Sequence, residues 1–291
     1  MWWENVHPIG AKPMIRSTEN HFCARILDRR DISQDLSVFQ IDPGGPFTYR
    51  AGQYATLGIE RNGVRTERPY SIASSPYEDA LEVFVELVPN GSLTPNLFQL
   101  KPGDSLLCRK IAKGRFTLDL RSDRSNHLLV STVTGIAPFV SYVRTLYRDW
   151  KNGGTPMPGN HKLFCLQGAS RPFEFGYREE LEGYSAEVPW FKYVSTVSRP
   201  WEAPGWQGER GRVDDLLRKY ADKWELQAET TTVYLCGHPK MIENSRGTLE
   251  RAGWKKDAFL EEAYYHAAIK ESGGKFETRA AQEKQESLLT P

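Results

Sequence analysis

The pattern of apolar residues changes near residue 120, and this change limits the chain to two differently built halves. From about residue 22 to 120, short alternating apolar runs such as residues 36–41 and 81–88 are separated by turn sequences. Short strands at regular spacing with Gly- and Pro-rich turns are typical of an antiparallel barrel or sandwich. Residues 93–100 interrupt the pattern and predict a short helix, with Thr94 as N-cap and Pro95 at its first position.

The second half alternates continuous apolar runs with helical patterns. The predicted strands are residues 127–132, 162–166, 191–197 and 232–236, and the predicted helices are 138–150, 177–182, 212–220 and 239–252. Buried strands alternating with helices predict an α/β domain with a doubly wound parallel sheet. We therefore expect one domain at residues 1–122, a second at 123–270, and a charged C-terminal tail at 271–291.

Composition argues against several classes of function. The 38 basic and 37 acidic side chains leave a net charge of +1, which predicts no nucleic-acid partner. No apolar run reaches the roughly 18–20 residues that span a bilayer, and the first residues lack a signal-peptide profile. The four cysteines are scattered, which argues against a metal site, an iron–sulfur cluster or a disulfide framework. We expect a cytoplasmic monomer without a metal.

Residues 68–71, Arg68-Pro69-Tyr70-Ser71, combine a cation, an aromatic ring and a hydroxyl at the end of a predicted strand. The forked guanidinium of Arg68 suits a pyrophosphate. Tyr70 offers a flat face to a ring, and Ser71 offers a small hydrogen-bonding group to a ring nitrogen. The combination predicts a site for a flavin dinucleotide.

Two glycine turns follow predicted strands of the second half. Thr134 and Gly135 precede a helix opened by a proline, which places free backbone amides at a helix N-terminus. Cys236 precedes Gly237 at the end of another strand, where ligands of such sheets bind. We interpret Cys236 as a positioning group rather than a nucleophile.

Three arginines fall just beyond strands or in the loops that follow them: Arg171, Arg199 and Arg212. If these loops share one edge of the sheet, the guanidinium groups predict a pocket for a dianionic phosphate, with Ser198 adding a hydroxyl. Near the end of the chain, the aromatic pair Tyr264 and Tyr265 could cover the open face of a flavin ring.

Taken in order, these motifs resemble the ferredoxin–NADP⁺ reductase family over residues 20 to 266. The resemblance covers the R-x-Y-S motif at 68–71, the G-x-x-T segment at 91–94, the loop at 133–138, the S-R element at 198–199 and the C-G-x-P element at 236–239. Val133 departs from the pattern, because it stands where the family usually has a glycine.

The resemblance implies an FAD-binding antiparallel β-barrel followed by an NADP-binding domain. It assigns the FAD pyrophosphate to Arg68 and Thr94 in the segment that begins at Gly91 and Ser92, and the flavin ring to Tyr70 and Ser71. It assigns the nicotinamide to Thr134, Gly135 and Cys236, the 2′-phosphate of NADP(H) to Arg171, Arg199 and Arg212, and the ring's open face to Tyr264.

Three functions remain open on the sequence. The first transfers a hydride between NADP(H) and FAD and single electrons to a ferredoxin or flavodoxin, whose acidic surface would dock on basic residues (Lys101, Arg109, Lys110, Lys113 and Arg115). The second is an NADH-preferring reductase component of an oxygenase, although the cysteines lack the spacing of a [2Fe–2S] domain. The third is a flavin-binding electron-transfer subunit of a larger complex.

Overall fold

The computed structural model describes residues 17–61, 63–154 and 160–264. The expected tail at 271–291 and the predicted role of Tyr265 lie outside these residues. Within the described ranges, no helix has both the length and the apolar character that crossing a membrane requires.

The first half of the described chain forms a six-stranded antiparallel sheet. Its strands are β1 (His21–Asp31), β2 (Leu36–Asp42), β3 (Tyr54–Arg61), β4 (Val64–Ser71), β5 (Leu81–Glu86) and β6 (Ser105–Arg109). They lie in the order β4-β3-β6-β1-β2-β5. The two outer strands meet, since Ile72 bridges to Val83 and the Ala73 amide donates to the Glu82 carbonyl at 2.7 Å. The sheet therefore curls into a barrel around side chains such as Ile26, Phe39 and Leu57.

The short helix in this half, α1 (Thr94–Leu97), begins one residue earlier than predicted. Leu93 is its N-cap, and the expectation that Thr94 caps it is wrong. The Thr94 hydroxyl is instead used by Val88, whose amide donates to it at 2.9 Å and whose carbonyl accepts from it at 3.2 Å. The hydroxyl thus ties the helix to the loop after β5.

The second half is a six-stranded parallel sheet in the order β10-β9-β8-β7-β11-β12. Its strands are β7 (Asn126–Thr132), β8 (Lys162–Ala169), β9 (Phe191–Val197), β10 (Glu209–Arg210), β11 (Thr231–Gly237) and β12 (Phe259–Ala263). The chain winds outward from β7 to β10 and then returns to the other side of β7. The direction of winding therefore reverses between β7 and β11, and such a switch point is where ligands bind to open α/β sheets.

Helices cover both faces of this sheet, which is why residues on both sides of its central strands are buried. The helices are α2 (Ala137–Lys151), α3 (Arg178–Glu187), α4 (Leu217–Lys223) and α5 (Pro239–Arg251). Leu129 and Tyr234 pack on the side of α2 and α3, whereas their neighbours Leu128 and Val233 pack on the side of α4 and α5. The predicted architecture is confirmed. The helix predicted at 212–220 is wrong in its start, because a 3₁₀ turn at Val213–Leu216 precedes α4.

A buried ion-pair cluster joins the two sheets. Arg144 of α2 donates to Glu82 of β5 at 2.9 Å and to both oxygens of Glu180 of α3, at 2.7 and 2.9 Å. Tyr177 also donates to Glu82, at 3.0 Å. Since Glu82 comes from the barrel and the other groups come from the α/β domain, the cluster fixes one domain against the other.

A second buried cluster makes the stability of the α/β domain sensitive to pH. The rings of His127 and His161 stack with Nε2 and Nδ1 2.9 Å apart, and His127 Nδ1 lies 3.3 Å from the Tyr234 hydroxyl. The Asp119 amide donates to the same hydroxyl at 2.8 Å. Burial, together with the nearby His161, lowers the pKa of His127 to about 4, and Asp119 offsets this only in part.

We expect the free energy of unfolding to fall by about 3 kcal/mol as the pH drops from about 6.5 to about 4, because of His127. Over this interval the unfolded chain binds a proton at this histidine and the folded chain does not. Urea unfolding at a series of pH values measures the effect. In His127→Gln, which keeps a hydrogen-bonding side chain, the loss of unfolding free energy over this interval should be smaller by about 3 kcal/mol. Equal slopes in the two proteins would show that other groups govern acid unfolding.

Candidate active site

The two domains enclose one large cavity of about 930 Å³ at the carboxyl edge of the parallel sheet. The barrel contributes the end of β4 and the segment from β5 to α1. The α/β domain contributes the loops that follow β7, β8, β9 and β11, together with the end of β12. The cavity therefore lies at the switch point between β7 and β11.

The barrel side of the cavity is lined by the residues of the first half of the chain that are predicted for a flavin dinucleotide. They are Arg68, Pro69, Tyr70, Ser71, Gly91, Ser92 and Thr94. Arg68 donates to the Ser92 hydroxyl at 2.8 Å and to the Glu67 carbonyl at 2.7 Å, so its exposed guanidinium is held beside the segment that precedes α1. This arrangement places a cation and a hydroxyl together, as recognition of a pyrophosphate requires.

The residues present fit FAD on a further observation. The Tyr70 hydroxyl is buried, and no group of the described chain forms a hydrogen bond with it. Because a buried polar atom without a partner is costly, a native protein usually satisfies it with water or a ligand. A ligand lying along Tyr70 would supply both the missing partner and a ring for the aromatic face.

Two glycines bring the ends of β7 and β11 into close contact at the back of the cavity. A Cβ on Gly135 would lie 2.4 Å from the Cys236 carbonyl oxygen, and a Cβ on Gly237 would lie 2.4 Å from Thr132 Oγ1. Thr134 and Gly237 line the cavity. Cys236 is fully buried behind them, where burial raises the pKa of its thiol well above the ordinary value. Neither Cys236 nor Gly135 is among the residues that line the cavity, so the roles predicted for them at the nicotinamide stay predictions.

Val133 has a φ of +41°, in the left-handed region. For a β-branched residue this conformation is strained, and such strain concentrates at functional sites. A glycine would adopt this φ without strain, so the departure from the family pattern noted in the sequence has a backbone cost at Val133. Val133 itself lines the cavity.

A chain of hydrogen bonds crosses the cavity from one domain to the other. Tyr264 donates to the Ser71 hydroxyl at 2.7 Å, and Ser71 donates to Glu262 Oε1 at 2.5 Å. The Tyr264 amide donates to the Gly237 carbonyl at 2.8 Å, which fixes the end of β12 against β11. Burial raises the pKa of Glu262, and the hydrogen bond from Ser71 opposes that rise.

Sequence reasoning missed Glu262. One signal was available, because alternation along β12 places Glu262 and Tyr264 on the same side of the strand. Two carboxylates stand side by side there, however, and Glu261 instead forms an ion pair with Arg246 on the surface. Only the position of Ser71 in the folded chain shows that Glu262, and not Glu261, belongs to the site.

The three predicted arginines lie at one edge of the sheet, but each is already paired with a carboxylate. Arg212 and Ser198 line the cavity, and Arg212 contacts Asp214 at 3.3 Å. Arg171 and Arg199 are not among its lining residues, and both contact Glu202. The structure thus brings Arg171 and Arg199 together at Glu202 and places Arg212 beside Asp214 in the cavity wall. A phosphate pocket shared by all three arginines stays a prediction.

The expected basic patch needs one adjustment. Arg109 does not stand free in the expected basic patch, because its guanidinium is held by the partly buried Glu67, which also contacts His21. Lys101, Lys113 and Arg115 are exposed. His238, the residue after Gly237 at the end of β11, is the N-cap of α5 and accepts from the Lys240 amide at 3.1 Å.

Comparison with known proteins agrees with this division of the chain. Residues 23–117 match the oxidoreductase FAD-binding domain, and residues 129–247 match the oxidoreductase NAD-binding domain. Among solved structures, the ferredoxin NADP⁺ reductase of Neisseria gonorrhoeae with bound FAD and NADP has a similar fold. It superposes with a TM-score of 0.74 at 23% identity, covering 85% of this chain and 100% of that one.

Two curated relatives are similar in sequence. The chain is 28% identical over 237 residues to the reductase component of phenol 2-monooxygenase from Pseudomonas sp. (strain CF600), covering 80% of this chain and 63% of that protein. It is 32% identical over 241 residues to ferredoxin–NADP reductase B of Sorangium cellulosum (strain So ce56), covering 78% of this chain and 92% of that protein. With both domains matched in order and a reductase matched over nearly its whole length, this chain belongs to the ferredoxin–NADP reductase family.

Proposed function

We propose that the protein transfers a hydride between NADP(H) and FAD and exchanges single electrons with a ferredoxin or flavodoxin, as a cytoplasmic monomer. The observation that carries this proposal is the hydrogen-bonded chain from Tyr264 through Ser71 to Glu262. It joins the flavin side of the cavity to the strand ends where a nicotinamide would bind. Bound FAD supplies chemistry that connects two-electron and one-electron carriers.

Residues of the barrel would hold FAD. Arg68 and Ser92 provide charge and hydrogen bonding for its pyrophosphate, next to the backbone of Gly91 and Thr94. Tyr70 would stack on the ring and would find a partner there for its buried hydroxyl. The exposed cations Lys101, Lys113 and Arg115 support docking of an acidic carrier.

Residues of the α/β domain would orient the nicotinamide. Gly135 and Gly237 allow the strand ends to close up, and Thr134 presents its side chain to the cavity. The Ser71 hydroxyl donates a hydrogen bond to Glu262 and accepts one from Tyr264, so the orientation of its O–H bond is fixed. Tyr264 lines this end of the cavity and would have to move when the nicotinamide enters.

One observation favours the second candidate, an NADH-preferring reductase component of an oxygenase. Glu202 and Asp214 neutralise the arginines that would recognise a 2′-phosphate. The sequence relation to a phenol 2-monooxygenase reductase component is consistent with such a role. A flavin-binding subunit that works only inside a larger complex is the third candidate.

Reduction by the two coenzymes separates these candidates. We expect the purified protein to be yellow with FAD, and its absorbance near the flavin maximum to bleach rapidly when NADPH is added without oxygen. NADH should bleach it more slowly, because only NADPH offers the 2′-phosphate to Arg212 and its neighbours. Faster bleaching by NADH would support the oxygenase reductase. Bleaching by neither coenzyme would support the subunit, and failure to bind FAD would contradict all three.

A further inference from the structure

Arg171 and Arg199, two arginines predicted to bind a phosphate, share one carboxylate. Arg171 Nε lies 2.5 Å from Glu202 Oε2, and Arg199 Nη1 lies 3.5 Å from Glu202 Oε1. Each carboxylate oxygen thus faces a different guanidinium. The bridge links the loop after β8 to the loop after β9, at the edge of the cavity where Ser198 and Arg212 form part of the wall.

Glu202 presents to these arginines the same chemistry as the 2′-phosphate they are expected to recognise. Both groups are anions with several acceptor oxygens that fit the donors of a guanidinium. They differ in charge, because a phosphate monoester carries about −1.5 to −2 at neutral pH, whereas a carboxylate carries −1. Glu202 therefore competes with a 2′-phosphate for the two arginines, and the more highly charged phosphate can displace it.

The ion pairs of Glu202 with Arg171 and Arg199 are weak enough for a phosphate to replace. The side chains of Arg171, Arg199 and Glu202 are 34%, 47% and 33% exposed, and exposed ion pairs are worth only about 0–1 kcal/mol each. Among the described residues, the Glu202 carboxylate bonds only to these two arginines. Glu174, which also contacts Arg171, differs because it is 12% exposed and accepts from the Ser170 amide at 2.7 Å.

We propose that Glu202 is a specificity-determining residue that lowers the preference of this enzyme for NADPH over NADH. This inference rests on the proposed function. Binding of NADPH requires Glu202 to leave both arginines, whereas NADH has no 2′-phosphate and leaves the bridge in place. The arginines keep their orientation through the carboxylate when no phosphate is bound, and their affinity for the phosphate is reduced by the competition.

The test is Glu202→Gln, which removes the charge and keeps the shape. Calorimetric titration of the FAD-loaded protein with adenosine 2′,5′-bisphosphate should show affinity raised about tenfold, since two weak ion pairs no longer compete. Affinity for adenosine 5′-monophosphate should change less than about twofold. The ratio of NADPH to NADH reduction rates at low coenzyme should rise by the same factor of about ten.

Glu229→Gln is the matched control, because it removes one negative charge from an exposed position of the same domain. It should leave both affinities unchanged. The proposal is overturned if Glu202→Gln changes both nucleotides equally or neither, or if it weakens binding of the bisphosphate. Weaker binding would mean that Glu202 serves only to position the arginines.

Failure of this inference can be told apart from failure of the proposed function. Calorimetry with the two adenosine nucleotides involves no electron transfer, so it reports on the arginine pocket by itself. If the wild-type flavin is reduced by neither coenzyme, the proposed function fails while the titration still tests Glu202. If the flavin is reduced and the variant matches the wild type, only the role of Glu202 is wrong.

Discussion

Replacing Ser71 with alanine is expected to slow reduction of the bound flavin by NADPH about 100-fold, with FAD still bound. Removal of one preorganised oxyanion-hole donor costs a factor of about 10² to 10³ in turnover, and we expect a loss at the low end of this range for Ser71. Ser71 is such a group, because its hydroxyl accepts from Tyr264 and donates to Glu262. Its removal leaves the buried Glu262 carboxyl without its hydrogen bond from Ser71.

Stopped-flow absorbance without oxygen measures this step directly. The limiting rate at saturating NADPH should fall, and the coenzyme concentration for half-maximal rate should change little, because the arginine pocket is untouched. Ser71→Thr keeps a hydroxyl and should recover part of the rate. The matched control is Ser75→Ala, which removes a buried hydroxyl 3.0 Å from Thr145 and outside the cavity wall.

The role assigned to Ser71 is wrong if Ser71→Ala and Ser75→Ala have the same limiting rate. It is also wrong if Ser71→Ala loses FAD to the same extent as it loses rate. In the second case the hydroxyl would serve cofactor binding alone.

Arg144→Met is expected to lower the free energy of unfolding by about 3–5 kcal/mol. Removing one partner of a buried ion pair leaves the opposite charge uncompensated, and the cost is of this size. The Arg144 side chain is 17% exposed, and the Glu82 side chain that it contacts across the domain interface is 9% exposed. Methionine fills similar volume but cannot neutralise Glu82 or Glu180.

Urea unfolding followed by tryptophan fluorescence at constant FAD concentration gives the difference. Lys151→Met is the control from the same helix, since its pair with Glu187 is exposed and should be worth less than about 1 kcal/mol. Adding Glu82→Gln to Arg144→Met should recover part of the loss by removing the unpaired charge. A loss no larger than that of Lys151→Met would contradict a structural role for the cluster.

Sequence patterns identified most of the regular structure, because each strand carries its own signal. The strand predicted at 191–197 has the observed bounds, since the buried Phe191 and Tyr193 alternate with the exposed Lys192, as in a β-strand. The helix predicted at 212–220 begins too early, because a 3₁₀ turn at 213–216 has the same apolar spacing as the first turn of an α-helix. Thr94 suited the N-cap by type, but Val88 takes its hydroxyl.

The barrel residues that line the cavity could also be predicted from the sequence, because Arg68, Tyr70 and Ser71 are neighbours along the chain. The groups that sequence reasoning missed act through partners far away in sequence. Glu262 is distinguished by Ser71, 191 residues earlier, and Arg144 by Glu82, 62 residues earlier. Arginines beyond strand ends predicted a phosphate pocket, and nothing local indicated that Glu202 would already occupy it.

The hydrogen-bonded chain across the cavity also has a consequence for how the protein is made. Ser71 and Tyr264 are 193 residues apart, and a ribosome adding about 5–20 residues per second needs roughly 10–40 s to pass from one to the other. Domains generally fold as they emerge, so the barrel can form during this delay. A chain interrupted before β12 would thus carry every barrel residue proposed to hold FAD, yet lack Glu262 and Tyr264. Synthesis makes the cofactor site first and the contact that completes it last.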